Sequence, residues 1–216
     1  MSRRVLAAMS GVLTPLPPIT LDEVLAEATL QTRVDRKYLV PTGTSVELVT
    51  RLRDRFAVLE IDGQRCFRYE SVYFDTPSHG LYRQHLQRRR YRYKVRTRSY
   101  LDSGECSFEV KLKGNRSETV KSRMPYPLAD RARLTEPAWR FLAEQLRTAY
   151  GVGVDHRLRP ALTTTYRRST LVNRVEHARL TCDIDLRFFD GDAALLNPQL
   201  RANPWHRTLR QLTPSG

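Results

Sequence analysis

The chain has 216 residues, of which 40% are hydrophobic, and a formal net charge of +14 at pH 7. This size suffices for one domain with a buried core, and no apolar run approaches the ~20 residues that a membrane span needs. The charge excess predicts a polyanionic partner, which is nucleic acid, a membrane surface or a phosphate-rich molecule. The three cysteines and five histidines are scattered, which predicts free thiols in a reducing, cytoplasmic compartment and no zinc site.

Before residue 57 the sequence predicts an arm, two helices and one strand. Residues 1–19 are expected to form a flexible N-terminal arm. A Thr-x-x-Glu capping box at residues 20–23 predicts a helix over Leu21–Thr29. Alternation favours a strand over Arg33–Val40, and apolar residues at helical spacing favour a helix over Ser45–Phe56.

From residue 57 onward the pattern is mainly β. Short polar connections that contain glycine, at residues 101–104 and 114–117, indicate hairpins. A helix is expected over Thr135–Tyr150, and a short one around Trp205–Leu212 within a C-terminal tail, residues 191–216. The predicted strands are Ala57–Ile61, Phe67–Asp75, Arg89–Tyr100, Glu105–Lys113, Glu118–Tyr126, Arg159–Ser169 and Arg179–Phe188.

These elements predict an α+β fold in which an antiparallel sheet or barrel carries peripheral helices. The domain is expected to span residues 20–190, between the arm and the tail. No internal repeat and no break in composition indicates a second domain.

The strands concentrate positive charge on one face. Because side chains alternate along a strand, the segment from Arg90 to Arg98 places five cations and no acid on one face. Later strands add Glu109 among the cations and align Asp183 with Asp185. The cations of these faces are Lys37, Arg90, Arg92, Lys94, Arg96, Arg98, Lys111, Lys121, Arg123 and Arg167. Such a face is either the solvated side of a half-buried sheet or the lining of a barrel that binds a phosphate chain.

The common nucleotide-binding motifs are absent from the sequence. It contains no G-x-x-x-x-G-K-[ST], no G-x-G-x-x-G and no kinase catalytic loop. Tyr91 and Tyr93 alternate with arginines, a pattern that can stack bases, but packing against a helix is the preferred interpretation. Phosphate recognition would therefore depend on the charged strand faces.

Eight short segments are informative when they are taken together. They are Arg36-Lys37-Tyr38, Ser71-Val72-Tyr73-Phe74-Asp75-Thr76, Tyr93-Lys94-Val95-Arg96-Thr97-Arg98-Ser99-Tyr100, Phe108-Glu109-Val110-Lys111, Val120-Lys121, Leu158-Arg159-Pro160, Tyr166-Arg167-Arg168 and Cys182-Asp183-Ile184-Asp185-Leu186. In this order they resemble the VTC domain, the polyphosphate polymerase module. That family belongs to the triphosphate tunnel superfamily, together with the CYTH phosphohydrolases.

The resemblance implies an antiparallel β-barrel that forms a tunnel and binds ATP or polyphosphate with Mn²⁺ or Mg²⁺. It also implies transfer of the γ-phosphate of ATP to a polyphosphate chain. Such transfer needs charge neutralisation and positioning more than a covalent nucleophile, and Arg96, Arg98 and Lys111 would supply the charge. The phosphate contacts that the resemblance implies are Lys37, Arg96, Arg98, Lys111, Lys121 and Arg167.

The resemblance departs from the family pattern after Asp185. Family members continue with a strand that carries E-x-K and then an S-K-Y segment, whereas here a turn at residues 190–192 leads into the tail. An open sheet edge is therefore expected, covered either by the tail or by a second copy of the chain. The metal ligands would be Glu109, Asp183 and Asp185, unless the two aspartates pair with neighbouring arginines.

Four functions follow from these patterns: an ATP-dependent polyphosphate polymerase, a triphosphate hydrolase, a non-catalytic polyphosphate-binding module and a nucleic-acid-binding protein. The family resemblance favours the polymerase, and the missing E-x-K strand favours binding with little turnover. The expected partners are ATP or polyphosphate, a membrane partner protein and a second copy of the chain. No specific nucleic acid is expected.

Overall fold

The computed structural model describes residues 2–29, 36–114, 119–192 and 194–196. The helices are α1 (Ser2–Leu13), α2 (Leu21–Thr29), α3 (Thr42–Leu52), α4 (Gly80–Leu86) and α5 (Glu136–Tyr150). The strands are β1 (Pro18–Ile19), β2 (Ala57–Leu59), β3 (Phe67–Asp75), β4 (Tyr93–Tyr100), β5 (Glu105–Lys113), β6 (Thr119–Pro125), β7 (Arg159–Asn173), β8 (Ala178–Asp190) and β9 (Leu195–Leu196). None of these helices is long and apolar enough to cross a membrane.

The predicted α+β class with a mainly antiparallel sheet is confirmed. β1 and β2 pair in parallel, whereas β2 pairs antiparallel with β7 and the strands from β3 to β6 pair antiparallel in chain order. The described chain divides into two compact units, each with its own apolar core. The first unit contains residues 2–68 and Tyr166–Leu186, and the second contains Tyr69–Thr165 and residues 187–196. Neither boundary has a break in composition, so the sequence pattern does not show this division.

In the first unit, the N-terminal segment is a helix and not the flexible arm that the sequence analysis expects. Met9 and Leu13 lie one turn apart on α1 and, with Leu16, are almost completely buried. They pack in one cluster with Val49 of α3 and Val58 of β2. The prolines at residues 15–18 favour an arm, but apolar residues four positions apart define a helix face that the core buries.

The end of α1 is tied to the rest of the first unit by Arg65. Its Nη1 donates hydrogen bonds to the carbonyl oxygens of Leu13, Thr14 and Leu16, at 2.6, 2.9 and 3.0 Å. Carbonyls at a helix C-terminus have no partner within the helix, so this guanidinium stabilises both the helix end and the turn that follows.

The capping box at the start of α2 forms as predicted. The Thr20 backbone N–H donates to Oε2 of Glu23 at 2.8 Å, and the Glu23 N–H donates to Oγ1 of Thr20 at 3.3 Å. These bonds to Thr20, and a further one from Arg174, lower the pKa of Glu23 to about 2. The predicted helix over Leu21–Thr29 is confirmed.

The described part of the segment Arg33–Val40 is not the strand that alternation predicts. Residues 33–35 lie outside the described residues, and residues 36–40 are exposed and belong to no strand. Lys37 therefore has no strand face on which to lie. Alternation cannot decide such a case, because a strand also needs a neighbour that pairs its backbone groups.

The second unit is built on strands β3 to β6. β3 and β5 have the predicted bounds, and Gly104 in the turn between β4 and β5 has φ of 74°, a conformation that favours glycine. One face of this sheet is apolar, with Val95 and Phe108 packed in a single cluster with Leu142 of α5. The core of the unit lies on this face.

Between β3 and β4 the chain forms a helix that the sequence analysis does not predict. Asp75 is fully buried at the end of β3, and its carboxylate accepts hydrogen bonds from the N–H groups of Leu81 and Tyr82 at 2.9 and 3.0 Å. A carboxylate that binds the first N–H groups of a helix acts as its cap. The cap of α4 lies several residues upstream in the sequence, so a local capping pattern cannot reveal it.

The strand that follows begins at Tyr93 and not at Arg89. Residues 87–92 form a turn, so Arg90 and Arg92 do not lie on the strand face where the sequence analysis places them. The predicted row of five cations is thus a row of three on β4. The sequence misplaces the boundary because its arginine alternation continues beyond the end of the hydrogen-bonded strand.

The end of β8 is paired. Leu195 and Leu196 form β9, which pairs antiparallel with Phe189 and Phe188. The segment after Asp190 therefore covers this edge over two residues. Cover by the tail is one of the two alternatives expected for the open sheet edge. The short helix expected around Trp205–Leu212 lies outside the described residues.

Candidate functional site

Strands β3 to β6 present a polar face opposite the core of the second unit. On β4, the residues from Tyr93 to Ser99 at odd positions are buried, whereas Lys94, Arg96 and Arg98 are only half-buried. The alternation predicted for this segment is confirmed from Tyr93 onward. We call the opposite side the polar face. It comprises Ser71, Tyr73, Lys94, Arg96, Arg98, Ser107, Glu109, Lys111, Lys121 and Arg123.

The strand register arranges the polar face in three rows that run across the strands. The lysine row is Lys94, Lys111 and Lys121; the glutamate row is Tyr73, Arg96, Glu109 and Arg123; the serine row is Ser71, Arg98 and Ser107. Together the rows contain six cations and one carboxylate. Like charges on neighbouring strands repel each other, so this face favours a bound anion.

Glu109 is the electrostatic centre of the polar face. It is only 2% exposed, and its Oε2 lies 2.7 Å from Nε and 2.6 Å from Nη2 of Arg96. Its Oε1 lies 2.9 Å from Nζ of Lys121. Arg96 also donates a 2.9 Å hydrogen bond to the hydroxyl of Tyr73 and lies over that ring. The carboxylate therefore holds two cations of neighbouring strands in fixed positions.

The positive field of the polar face changes the acidity of its own groups. Burial alone would raise the pKa of Glu109, but Arg96, Arg98 and Lys121 together lower it to about 2. Burial likewise opposes ionisation of Tyr73, and Arg96, Arg98 and Lys94 nevertheless lower the pKa of its hydroxyl. Both pKa values are lowered because neighbouring cations favour the negative form of the group, and the same positive field favours a bound anion.

The serine row contains polar atoms that lack hydrogen-bond partners among the described residues. These atoms are Oγ of Ser71, Nε of Arg98 and Oγ of Ser107, and all three are buried. A buried polar atom without a partner costs about 1–3 kcal/mol, and such atoms are few in native proteins. Three of them directly opposite one another in register make the serine row a candidate place for a ligand or water to supply the missing bonds.

His85 of α4 lies beside the lysine row. Its Nε2 is 3.2 Å from the carbonyl oxygen of Tyr93, which can only accept, so Nε2 carries the proton. Burial lowers the pKa of His85 to about 4, and the charges of Lys94, Arg92 and Lys111 contribute. The ring lines a small cavity with Tyr73, Tyr82 and Lys94. It is a neutral imidazole among cations at physiological pH.

Comparison with known proteins assigns the chain to a family. The profile described as "VTC domain" matches residues 32–215, which is most of the chain. The chain belongs to the VTC domain family. No curated protein matches it.

Two solved structures are similar to this VTC domain. One, from Vibrio parahaemolyticus, is described as a candidate adenylate cyclase; it is 12% identical, with 81% of this chain and 79% of that chain covered and a TM-score of 0.37. The other, from Hippeastrum, is described as a candidate adenylyl cyclase with a dominant triphosphatase activity; it is 16% identical, with 56% and 60% covered and a TM-score of 0.33. Both TM-scores are below 0.5, so the assignment depends on the family match alone.

The predicted site residues are distributed over both units of the VTC domain. The polar face brings together Lys94, Arg96, Arg98, Glu109, Lys111, Lys121 and Arg123. Lys37, Arg167, Asp183 and Asp185 belong to the first unit. There Asp183 accepts two hydrogen bonds from Arg168, from Nε at 2.6 Å and from Nη2 at 2.7 Å. For Asp183 this is the pairing with an arginine that the sequence analysis gives as the alternative to metal binding.

The residues expected to bind a divalent metal do not form a metal site within the described chain. No group of three or more His, Cys, Asp or Glu side chains lies close enough together in that part. Both oxygens of Glu109 contact cations, and both oxygens of Asp183 accept hydrogen bonds from Arg168. The metal that the family uses in general therefore stays a prediction here, and no chemical step is assigned to it.

Four residues of the site are absent from the sequence prediction: Ser71, Tyr73, His85 and Ser107. Ser71 and Tyr73 have the same parity on β3, and Ser107 has the parity of Glu109 on β5, so alternation could have placed them on the polar face. Their positions opposite Arg98 and Arg96 depend on the register, which a single sequence does not provide. His85 lies on α4, a helix that the sequence pattern does not predict.

We expect His85 to titrate near pH 4 in the unliganded protein and at higher pH with tripolyphosphate bound. A phosphate chain bound beside the lysine row would neutralise Lys94 and Lys111, and the imidazolium would then be less unfavourable. NMR titration of the histidine ring signals checks this, with His156, which packs on Trp139, as the internal control. A ligand that leaves the His85 titration unchanged contradicts the placement of the phosphates beside the lysine row.

The same shift has a consequence for stability. Folding lowers the pKa of His85 from 6.5 to about 4, so the unfolded chain binds this proton more readily than the folded protein. His85 therefore leaves the free energy of unfolding unchanged above pH 6.5 and lowers it as the pH falls to 4. The variant His85→Gln keeps an N–H donor but does not titrate. Its melting temperature should therefore fall less than that of the wild type between these pH values.

Proposed function

We propose that this VTC domain binds the phosphate chain of ATP or polyphosphate on the polar face and transfers the γ-phosphate of ATP to a growing polyphosphate chain. The observation that carries the proposal is the serine row, where three buried polar atoms lack partners among the described residues, within rows of six cations and one carboxylate. Membership of the family supports the choice of a phosphate chain over other anions.

The arrangement suits phosphoryl transfer because it provides positive charge that is already in position. Arg96 is fixed by Glu109 and Tyr73, so its guanidinium needs little reorganisation when charge develops on a phosphoryl group. Lys111 lies between Lys94 and Lys121 in the lysine row. On this proposal Arg96, Arg98 and Lys111 stabilise the transferred group, and the other cations of the polar face hold the chain.

A second candidate function is binding without turnover. It is favoured by the contacts of Glu109, whose two oxygens contact Arg96 and Lys121 and leave it poorly suited to hold a metal. Divalent ions usually take carboxylates together with substrate phosphates. A polar face of this kind would bind polyphosphate and yet lack the ion that helps to activate ATP.

Incubation with ATP and Mn²⁺ or Mg²⁺, assayed for both polyphosphate and free phosphate, separates these functions. Polyphosphate synthesis supports the polymerase, free phosphate alone indicates a hydrolase, and binding without either product indicates a binding module. Omission of the metal tests the cofactor expectation. Cytoplasmic location and association with a membrane partner protein are further expectations of the proposal.

We expect Lys111→Ala to weaken tripolyphosphate binding by about 1–3 kcal/mol, which is roughly 5-fold to 150-fold, because charge-assisted hydrogen bonds to phosphate are lost. Isothermal titration calorimetry at fixed salt measures the change. The control Arg147→Ala removes the same charge from the exposed end of α5. Equal losses in the two variants would mean that net charge, and not the polar face, determines binding.

A further inference from the structure

The turn before β4 contains a cluster of arginines that the polar face does not include. We call residues 87–92, Gln87-Arg88-Arg89-Arg90-Tyr91-Arg92, the arginine turn. Arg88, Arg89 and Arg90 are exposed. Among the described residues, none of the four arginines of the turn lies within ion-pair distance of a carboxylate. Four adjacent cations of this kind repel one another unless an anion is present.

The arginine turn is nevertheless held in one conformation by local bonds. The N–H of Arg89 donates to the carbonyl of Gln84 at 2.9 Å, and Nη1 of Arg92 donates to the carbonyl of Arg89 at 2.6 Å. Arg88 has φ of 52°, a left-handed conformation that is unfavourable for a residue with a side chain. These bonds hold the backbone of the arginine turn in place in spite of the unfavourable φ of Arg88.

Aromatic packing fixes the other end of the turn. The ring of Tyr91 lies 5.1 Å from that of Tyr150, and Arg90 lies over Tyr91 at 5.5 Å. The Tyr150 hydroxyl accepts the N–H of Lys113 at 2.8 Å and lies 2.9 Å from the carbonyl oxygen of Arg92. Tyr150, at the end of α5, thus contacts both the arginine turn and the end of β5.

The positive charge of the turn continues into the lysine row. Arg92 directly precedes β4, and Lys113 donates its N–H to the carbonyl of Arg92 at 3.1 Å. Lys94 lies two residues after Arg92 and directly opposite Lys111 in the strand register. Four residues of extended chain span at most about 14 Å, so Arg90 lies within that distance of Lys94 along the backbone.

We propose that the arginine turn is a second binding site, which holds the part of a polyphosphate chain that extends beyond the lysine row. The inference relies on the proposed function for the identity of the ligand. Tripolyphosphate fills the polar face and does not reach the turn, whereas a long chain contacts both. Long polyphosphate thus gains affinity from the turn, and short chains do not.

Comparison of two probes tests the proposal. The variant Arg88→Ala/Arg89→Ala/Arg90→Ala should bind long-chain polyphosphate about tenfold more weakly than the wild type and tripolyphosphate within about twofold of it. Three lost phosphate contacts, at roughly 0.7 each, should also lower the log–log salt slope for the long chain by about 2. The control Arg3→Ala/Arg4→Ala/Arg147→Ala removes three exposed arginines elsewhere and should change neither affinity by more than about twofold.

Each other outcome has a definite meaning. If the turn variant binds long chains as tightly as the wild type, or loses affinity for both probes equally, the second site does not exist. The same holds if the control triple variant loses as much affinity as the turn variant. Wild-type protein that fails to bind tripolyphosphate would instead overturn the proposed function, which distinguishes that failure from failure of the second site.

Discussion

Replacement of Glu109 by glutamine should lower the free energy of unfolding by about 2–4 kcal/mol. Removal of one partner from a fully buried ion pair costs about 3–5 kcal/mol, because the other charge stays buried without compensation. The loss here is somewhat smaller, because the side chains of Arg96 and Lys121 are 21% and 44% exposed and keep contact with water. No other carboxylate lies in the three rows to replace Glu109.

Urea denaturation at neutral pH measures this change. The control Glu47→Gln removes an exposed ion pair with Arg51 on α3 and should cost at most about 0.5 kcal/mol. Tripolyphosphate should raise the melting temperature of Glu109→Gln more than that of the wild type, since the anion takes over the neutralising role. Equal ligand stabilisation of the two proteins would show that the anion binds away from Glu109.

The pH dependence of stability gives a second check on Glu109. Folding lowers its pKa from 4.5 to about 2, so its contribution to stability is complete above pH 4.5 and is lost as the pH falls to 2. Glu109→Gln lacks this part of the acid dependence. The stability difference between the wild type and the variant should therefore shrink between these two pH values.

Replacement of Arg98 by methionine should weaken tripolyphosphate binding by roughly 10-fold to 150-fold with little loss of stability. Binding suffers because a charged donor to phosphate is removed, which costs about 1.5–3 kcal/mol. Stability suffers little, because Nε of Arg98 has no hydrogen-bond partner among the described residues and the repulsion by the other cations of the polar face offsets the attraction to Glu109. Methionine fills a similar volume with an apolar chain.

Calorimetric titration and thermal unfolding of the same sample separate the two effects. Arg140→Met, on the exposed side of α5, is the control for a lost charge and should change neither quantity appreciably. If Arg98→Met binds normally, the serine row is not a ligand site. If Arg98→Met is strongly destabilised, the half-buried side chain of Arg98 has a structural role.

Much of the second unit can be predicted from the sequence because its strands alternate strictly. The segment Glu105–Lys113 places Phe108, Val110 and Leu112 on one face, and the structure buries all three in the core of that unit. The helix Leu21–Thr29 is likewise predictable from residues in direct contact along the chain, since Thr20 and Glu23 bond to each other.

The errors arise where the deciding partner is remote in the sequence. α1 depends on burial against Val49 and Val58, and α4 depends on Asp75 at the end of a strand. The start of β4 depends on where hydrogen bonds to its neighbours begin, which the arginine alternation does not encode. For the same reason the sequence indicates which residues share the polar face but not which of them form a row.

The two faces of the β4–β5 pair constrain how this site can change during evolution. Val95, Phe108 and Val110 of the core alternate along the same strands with Arg96 and Glu109 of the polar face. A single inserted or deleted residue in β5 would exchange the faces, placing Glu109 against α5 and Phe108 among the cations. Substitutions can therefore adjust ligand preference one side chain at a time, whereas changes of strand length would remove the core and the polar face together.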